Sequence, residues 1–410
     1  MSTESRWSLL DRGSSGTNDN CTENLDRAAI ALVGGGVIGA SVAYHLALRG
    51  VRDIVLLDRG EGPGAGSTAK ATGGFRAQFD TAINVRLSLL AREKLRVFAE
   101  EIGADPGYVE AGYLWIASSE QTFAILRDGL HVQQAEGLRE AEEIGVEQIG
   151  RLNPAVSLAG IVGGTWCPTD GFIRPMEMLR GYLGAAERLG AKIQWGVDVT
   201  DIVIAGGKVA GLATSRGPIS VDAVVNAAGP WAGTLNRAAP NELPVAPLRR
   251  QVALSVPTDI LPERMPMTIF ADSGFHLRVR DGRVLLLWPS QPSSDDPFDT
   301  SVDESWIPAV TELARNRVPS LRGLAIDREA CYAGLYEMSP DDHAILGRSP
   351  SCENLYFANG SSGHGVMHSP ALGQLLAEII CDGTASSLDV SALRPTRFVE
   401  GALNAKPALL

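Results

Sequence analysis

AAIALVGGGVIG, residues 28–39, joins a short apolar run to a cluster of glycines. A continuous apolar run that glycines stop is typical of a strand buried on both faces of a parallel sheet. From Val37 to Arg49 the apolar residues recur at helical spacing, and Gly50 follows as a stop signal. Residues 53–57 (DIVLL) predict a second buried strand. The order strand, turn, helix, strand predicts one βαβ unit.

The glycines of this stretch match the pattern GxGxxG at the place where a dinucleotide site needs it. Gly34 would make the turn, Gly36 would let a pyrophosphate approach the backbone, and Gly39 would let helix and strand pack closely. The N-terminus of the helix would then face the phosphates with its partial positive charge. Asp58 ends the second strand 19 residues after Gly39, where a carboxylate can bind ribose hydroxyls. This pattern fits NAD as well as FAD.

Later stretches of the chain favour FAD. Residues 62–76 (GPGAGSTAKATGGFR) form a second loop of Gly, Ser and Thr, whose N–H and hydroxyl groups can wrap a pyrophosphate and approach a flat ring. The predicted strand at 224–229 (VVNAAG) ends in small residues that allow close backbone approach. Near the C-terminus a strand (355–358), a flexible loop (359–365) and a helix (370–380) follow one another. A helix N-terminus aimed at the N1/C2=O end of a flavin would stabilise the anion formed on reduction.

Composition and charge exclude several classes of partner. A chain of 410 residues is too long for one compact core and predicts two domains. With 36 basic and 48 acidic residues the net charge is -12, so the protein repels polyphosphate backbones and no nucleic acid is expected as a partner.

The cysteines and the N-terminus bear on location. The five cysteines are scattered and form no CxxC pair, which argues against a disulfide framework and a structural zinc site and favours a cytoplasmic location. Residues 1–27 lack a basic start followed by an apolar stretch, so they predict a disordered N-terminal arm and no signal peptide. The apolar run 28–48 is interrupted by glycines and contains His45, so no membrane span is expected.

The rest of the chain predicts a second domain. Residues 81–102 have the composition of one long amphipathic helix. Four further strand patterns have no helices regularly between them and suggest an antiparallel sheet: 112–117, 249–256, 274–279 and 283–288. A helix at 176–189 and a strand at 222–225 indicate that the nucleotide domain is interrupted and resumed, and 289–297 is a loop.

The predicted fold class is therefore α/β: a Rossmann-type FAD-binding domain with an inserted antiparallel-sheet α+β substrate domain. The discontinuous FAD-binding domain is expected at 28–100, 160–245 and 330–405. The substrate domain is expected at 101–159 and 246–329.

The motifs taken together resemble the D-amino-acid-oxidase-like FAD oxidoreductases. This family includes glycine oxidase, sarcosine oxidase, dimethylglycine dehydrogenase and the proline dehydrogenase β subunit. The matching pieces stand in the family's order and cover nearly the whole chain after residue 28: VGGGVIGASVAYHLA, LLDRG, GSTAKATGGFRAQF, AGYLWIA, PTDGFIRP, VVNAAGPWA, AGLYEMSPDDHAILG and ANGSSGHGVMHSPALG.

The resemblance implies a set of FAD-binding residues along the chain. They comprise the phosphate turn, the ribose acid and its neighbour, the second glycine loop, a residue near the adenine, the small residues beside the phosphates and the loop at the flavin edge. In chain order these candidates are Gly34, Gly36, Val37, Ile38, Gly39, Asp58, Arg59, Ser67, Thr68, Lys70, Thr72, Gly73, Gly74, Val199, Ala228, Gly229, Trp231, Gly363, His364, Gly365, Val366 and Met367.

Four positions depart from relatives within the family. Dimethylglycine dehydrogenases resemble this chain but attach the flavin through a histidine where it has Lys70, and monomeric sarcosine oxidases through a cysteine where it has Gly334. The resemblance therefore implies noncovalent FAD. A carboxylate-binding lysine of monomeric sarcosine oxidase falls at Met367, and an arginine of glycine oxidases falls at Tyr336. Two familiar substrate anchors are thus replaced.

The substrate-site candidates are Arg76, His276, Arg278 and Tyr336. Arg76 matches the substrate-binding arginine of the sarcosine oxidases, and a guanidinium is suited to bidentate capture of a carboxylate. A structural role on its loop is the alternative. His276 and Arg278 lie two apart, hence on one face of a strand, where the family often has an aromatic residue; a solvated face explains them about as well. His364 is either a flavin-side loop residue or a proton-transfer group.

The resemblance implies an enzyme that oxidises a small amine or amino acid, such as sarcosine, glycine or a proline-like substrate. Hydride transfer to flavin N5 would give an imine that water hydrolyses, with oxygen or another acceptor taking the electrons and no nucleophile or metal required. Two alternatives stay open: an FAD-dependent 2-hydroxy-acid dehydrogenase, which needs a stronger general base, and a non-catalytic flavoprotein that acts as an assembly or docking subunit. A partner subunit is possible in either case.

Overall fold

The computed structural model describes residues 25–235, 242–289 and 295–408. Its strands are β1 (Arg27–Val33), β2 (Ile54–Leu57), β3 (Gly74–Phe75), β4 (Tyr113–Ala117), β5 (Glu142–Ile144), β6 (Gly163–Cys167), β7 (Gly171–Phe172), β8 (Lys192–Gln194), β9 (Val199–Ala205), β10 (Lys208–Thr214), β11 (Gly217–Asn226), β12 (Ala246–Leu254), β13 (Met267–Phe270), β14 (Phe275–Arg280), β15 (Arg283–Leu287), β16 (Tyr332–Met338), β17 (Ile345–Arg348) and β18 (Leu355–Asn359).

The helices alternate with these strands mainly in the first and last parts of the chain. They are α1 (Val37–Leu48), α2 (Ala82–Arg96), α3 (Phe98–Ile102), α4 (Glu120–Ala135), α5 (Val146–Leu152), α6 (Pro175–Arg188), α7 (Ala232–Leu235), α8 (Trp306–Arg317), α9 (Gly365–Asp382) and α10 (Thr396–Val399).

The first sheet has the parallel core that the βαβ pattern predicted. Its order is β17-β18-β11-β1-β2-β8, and the four pairings from β18 to β8 are parallel. The hairpin β9–β10 joins β11 in antiparallel register. Every residue of β2 is buried, as are all but two of β1, because helices cover the sheet. α1 packs against α9 and α6, so the first and last parts of the chain form one Rossmann-type domain.

The second sheet is mainly antiparallel, with one exception. Its order is β16-β12-β15-β14-β13-β4-β6-β5, and β13 runs parallel to β4. The long segment between these two strands includes part of the nucleotide domain, and such a crossover permits a parallel pairing that a tight hairpin forbids. The expected antiparallel sheet is therefore a mixed sheet at this one pair.

Two strands lie in a different sheet from the one that the predicted boundaries imply. β6 falls in the segment 160–245, expected in the FAD-binding domain, yet it pairs with β4 in the second sheet. β16 falls in 330–405 and pairs with β12 there. These pairings favour moving the proposed domain boundaries beyond residues 172 and 338.

Two helix predictions differ from the structure in their limits. The helix expected at 81–102 is divided at Val97, whose φ of -105° and ψ of 7° leave the helical region. α9 begins at Gly365, five residues before Pro370. Proline cannot donate to the carbonyl of Val366, four residues earlier, and the Ser369 hydroxyl donates to that oxygen instead at 2.9 Å. This bond lets the helix start at the edge of the predicted site.

The expected N-terminal arm, 1–27, overlaps the fold at its end, because Arg27 already belongs to β1. Residues 1–24 lie outside the described residues, as do 290–294 of the expected loop at 289–297. Among the described helices, none combines the length and apolar character needed to cross a membrane.

Candidate functional site

The three glycines of the phosphate turn have different surroundings. Gly34 has φ 113°, and a Cβ there would lie 2.2 Å from the Ala227 carbonyl oxygen. A Cβ on Gly39 would lie 2.0 Å from the carbonyl oxygen of Gly34. A Cβ on Gly36 would meet only the Thr68 hydroxyl, at 3.4 Å. The fold itself therefore requires Gly34 and Gly39, whereas Gly36 keeps a space open above the first turn of α1.

The N-terminus of α1 faces that space. The N–H of Val37 donates to the Thr68 hydroxyl at 3.1 Å, which fixes the second glycine loop against the helix. Gly36 caps the helix without a side chain, and the first turn carries no acidic residue. Unneutralised N–H groups and the positive end of the helix dipole make this an anion site suited to a pyrophosphate.

Asp58 is fixed at the end of β2. Its carboxylate accepts hydrogen bonds from the N–H of Gly35 at 2.6 Å and of Gly60 at 2.7 Å. Each oxygen keeps further lone pairs for ligand hydroxyls, since a carboxylate accepts about four hydrogen bonds. The geometry suits a ribose beside the phosphate turn.

A continuous cavity of about 950 Å³ runs from this turn to the second sheet. Most of the residues predicted from sequence line it, and they come from distant parts of the chain: Gly34, Gly36, Val37, Ile38, Asp58, Arg59, Ser67, Thr68, Lys70, Thr72, Gly73, Gly74, Arg76, Val199, Ala228, Gly229, Trp231, His276, Tyr336, Gly363, His364, Gly365, Val366 and Met367. Of the predicted residues, Gly39 and Arg278 are not part of the lining.

Arg76 is a buried cation at the second-sheet end of the cavity. It is 4% exposed, and its guanidinium lies 4.0 Å from the Phe79 ring centroid. It donates to the Gln78 carbonyl at 2.7 Å and to Nε2 of His364 at 3.2 Å. Within the described chain it forms no ion pair with a carboxylate, and burial lowers its pKa to about 10, opposed by Tyr113 and by more distant acids. A buried guanidinium in this state is suited to bind an anion.

His276 and Tyr336 lie in the wall near Arg76. Nδ1 of His276 donates to the Gly274 carbonyl at 2.9 Å. Burial, and secondarily the charges of Arg76 and Arg250, lower the pKa of His276 to about 4, so the ring is neutral at physiological pH. The Tyr336 ring packs where a side chain on Gly363 would be, 2.5 Å from a Cβ built there.

Arg278 occupies a different position from the one expected. It is 5% exposed and stacks on Phe172, with the guanidinium 3.5 Å from the ring centroid. It donates to the carbonyls of Thr72 at 2.9 Å and Gly73 at 3.0 Å. The side chain therefore lies behind the second glycine loop and not in the cavity lining, because loop carbonyls satisfy its donors. This arrangement fixes the loop from behind.

The sequence predictions missed Glu337 and Arg250, which also line the cavity. Glu337 is 8% exposed, and its Oε2 has no hydrogen-bond partner in the described structure. Burial raises its pKa to about 7, with Ser361 opposing the shift. Because acidic residues are depleted in strands, Glu337 within its strand pattern was a sequence signal for a functional residue. For Arg250 the signal was the pair Arg249-Arg250, since consecutive strand residues face opposite sides.

The two positions that carry flavin attachment in relatives face each other here. A Cβ on Gly334 would lie 2.7 Å from Cβ of Lys70. The Lys70 ammonium lies 5.5 Å from the Tyr332 ring centroid. In residues 25–235, 242–289 and 295–408 there is no group of three or more His, Cys, Asp or Glu arranged to hold a metal ion.

The residues of this site fit a flavin dinucleotide. Gly36 leaves space for a pyrophosphate, Asp58 is oriented for a ribose, and the unpartnered Glu337 oxygen points toward Gly229, 3.8 Å from a Cβ built there. The start of α9 at Gly365 brings a second helix N-terminus to the same cavity.

Comparisons with known proteins agree with this geometry. The sequence profile of the family described as FAD dependent oxidoreductase (DAO) matches residues 29–379. FAD-dependent oxidoreductase domain-containing protein 1 of Xenopus laevis is 28% identical over 91% of this chain and 83% of its own. Glycine oxidase of Geobacillus kaustophilus (strain HTA426) is 28% identical over 91% of this chain and 98% of its own. The crystal structure of L-proline dehydrogenase from P. horikoshii superposes with a TM-score of 0.85 at 27% identity, covering 93% of this chain and 100% of that one.

Proposed function

The chain belongs to the FAD-dependent oxidoreductase (DAO) family, and on that premise we propose that it oxidises a small amine or amino acid that carries a carboxylate. The observation that carries the proposal is Arg76, a guanidinium 4% exposed in the cavity wall and without a carboxylate partner among the described residues. A substrate carboxylate would provide the missing counter-ion. The names of glycine oxidase and L-proline dehydrogenase point to the same substrate class.

FAD, when bound, supplies the acceptor for the hydride that leaves the carbon next to nitrogen. The phosphate turn, Asp58 and the second glycine loop are the residues that would hold it. Arg278 supports that loop from behind through its bonds to Thr72 and Gly73. Both familiar attachment positions are replaced by Lys70 and Gly334, so we propose that FAD is bound noncovalently.

The residues around Arg76 orient the substrate and control its charge. His364 accepts a hydrogen bond from Arg76, which restricts the rotation of the guanidinium plane. A cation close to the substrate favours a neutral amine over an ammonium, and only the neutral amine has the lone pair that hydride loss requires. Trp115 and Ile269 contribute apolar wall and exclude water from the reacting carbon. The imine that results is hydrolysed by water.

Oxidation of a 2-hydroxy acid is less well supported by the same cavity. That reaction needs a base for the hydroxyl proton. His276 has a pKa lowered to about 4, primarily by burial, which makes it a weak base. His364 already accepts a bond from Arg76 through Nε2. An amine substrate needs no such base.

Anaerobic titration of the yellow protein tests the proposal. Amino acids and N-methylated amino acids should bleach the flavin absorbance, while the matching 2-hydroxy acids should leave it unchanged. Bleaching by hydroxy acids alone would replace the proposal with a 2-hydroxy-acid dehydrogenase. No bleaching across both sets would favour a non-catalytic assembly or docking subunit.

We propose that oxygen or another electron acceptor takes the electrons; a partner subunit stays a candidate. Of the five cysteines, the four that the structure describes, Cys167, Cys331, Cys352 and Cys381, are free thiols, which supports a reducing, cytoplasmic location.

A further inference from the structure

Arg250 faces the cavity from the second sheet. It lies opposite Gly334 in the antiparallel pair of β12 and β16, and its guanidinium is 5.8 Å from the Tyr336 ring centroid. Its neighbour Arg249 points to the other face of the sheet, where it pairs with Asp299 at 2.7 Å. The alternation of the strand therefore gives one arginine a structural ion pair and leaves the other directed at the cavity.

The half-buried guanidinium of Arg250 has no anionic partner among the described residues. Within residues 25–235, 242–289 and 295–408 it makes one hydrogen bond, to the carbonyl of Arg249 at 3.4 Å. Burial lowers the pKa of Arg250, and Tyr336 opposes that shift; no carboxylate contributes. Removing a cation from water without a counter-ion is unfavourable, so the position is suited to an anion that arrives with a ligand.

Arg250 and Arg76 approach the same two side chains. Both guanidinium charges lower the pKa of His276, and both oppose the burial that raises the pKa of Tyr336. The strand register places these groups on one face of the sheet. His276 and Val252 both lie opposite Leu287, so they are two strand spacings apart, or roughly 10 Å. Arg250 is two residues from Val252 and therefore lies on the same face. His276 and Tyr336 thus lie in the part of the cavity that both cations reach.

We propose that Arg250 is a second carboxylate anchor and that the substrates are amines bearing two carboxylates. This inference rests on the proposed function, since Arg76 holds the carboxylate next to the reacting carbon. Arg250 binds the distal carboxylate, which takes no part in bond making. Oxidation of the amine removes one hydride, for which bound FAD would be the acceptor, and one proton, which passes to water; water then hydrolyses the imine to an oxo acid and the released amine.

The test uses the FAD-loaded protein and two non-reacting probes of equal chain length, glutarate and pentanoate. Their dissociation constants are measured from the change that each causes in the flavin absorbance. Glutarate should bind at least about tenfold more tightly than pentanoate to the wild type, since one charge-assisted hydrogen bond contributes about that factor. Arg250→Gln should raise the dissociation constant of glutarate by about the same factor and change that of pentanoate by less than about twofold. Arg328→Gln, which removes an exposed arginine paired with Glu304, serves as the matched control and should leave both constants unchanged.

The outcomes separate this inference from the function it rests on. Equal binding of glutarate and pentanoate, or an unaltered glutarate constant in Arg250→Gln, overturns the second anchor. If Arg76→Lys still weakens both probes in that case, the single-carboxylate proposal stands. If neither arginine variant changes either constant, both proposals fail. As a second readout, catalytic efficiency with glutamate should exceed that with glutamine, and Arg250→Gln should abolish the difference.

Discussion

Nη2 of Arg76 lies 3.2 Å from Nε2 of His364, and only the arginine can donate in that contact. The hydrogen bond fixes the imidazole as the acceptor at Nε2 and restricts the guanidinium in the cavity wall. It also joins two parts of the chain that are 288 residues apart, the second glycine loop and the start of α9. The guanidinium proposed to bind the substrate's carboxylate and the loop at the predicted flavin edge are therefore one connected unit.

Gly36→Val should abolish FAD binding while the fold persists. A Cβ there would meet only the Thr68 hydroxyl, at 3.4 Å, so the valine would occupy the space proposed for the pyrophosphate and not space that the protein fills. Absorbance of the purified variant at the flavin band measures the FAD content.

The matched control for that variant is Gly145→Val. Gly145 also precedes a helix, α5, with φ -85° and ψ 169°, and a Cβ there meets nothing within 4 Å. This variant should keep full FAD content. Full content in Gly36→Val as well would show that the open space above α1 is not the phosphate site.

Acid precipitation should release the yellow colour into the supernatant, because FAD is predicted to be noncovalent. Lys70 and Gly334 replace both attaching residues and pack against each other. Colour retained in the pellet would mean that another side chain forms a covalent bond to the flavin.

Arg278→Gln should lower FAD content and the melting temperature together. The guanidinium donates to two carbonyls of the second glycine loop, and its loss leaves those acceptors without buried donors, at a cost on the order of 3 kcal/mol. Activity should fall in parallel on every substrate. Normal FAD content combined with a selective loss on carboxylate substrates would instead identify Arg278 as a substrate anchor.

Glu337→Gln should change how stability depends on pH. Burial raises the pKa of Glu337 from 4.5 to about 7, so the folded protein retains a proton that the unfolded chain has released within this interval. The stability linked to Glu337 is thus present below the lower value and is lost as the pH rises toward the upper one. The melting temperature of the wild type relative to Glu337→Gln should therefore fall between about pH 5 and about pH 7.

Glu147→Gln removes an exposed carboxylate on α5 that pairs with Arg151 and provides the control for loss of one charge. The difference in melting temperature between Glu147→Gln and the wild type should vary little over the same pH interval. A pH-independent difference for Glu337→Gln would show that Glu337 is ionised in the folded protein throughout.

The sequence predicted those parts of the fold whose secondary structure depends on residues close together along the chain. The strand 28–33, the glycine turn and the helix from Val37 follow from local periodicity, and the structure places them as expected. The parallel pairing of β13 with β4 and the break at Val97 depend on contacts between residues far apart in sequence. A local sequence pattern does not predict such contacts.

The same limit applies to the site. Glycine spacing predicted the turn at one end of the cavity, and the resemblance predicted Arg76, which lines the same cavity at the second sheet. Strand alternation correctly placed His276 and Arg278 on one face, but it could not predict that Thr72 and Gly73 satisfy Arg278 from across the sheet. Glu337 and Arg250 were missed because their surroundings come from segments far away in sequence.

The most direct test of the account compares Arg76→Lys and Arg76→Ala with the wild type on two substrates. One is an amino acid that bleaches the flavin, and the other is the same amine without its carboxylate. The account predicts nearly unchanged FAD content, a fall of about tenfold to a hundredfold in kcat/KM for the amino acid, and little change for the other substrate, since each charge-assisted hydrogen bond contributes about 1.5 to 3 kcal/mol. An equal loss on both substrates, or no loss on either, would contradict the assignment of Arg76 as the carboxylate anchor.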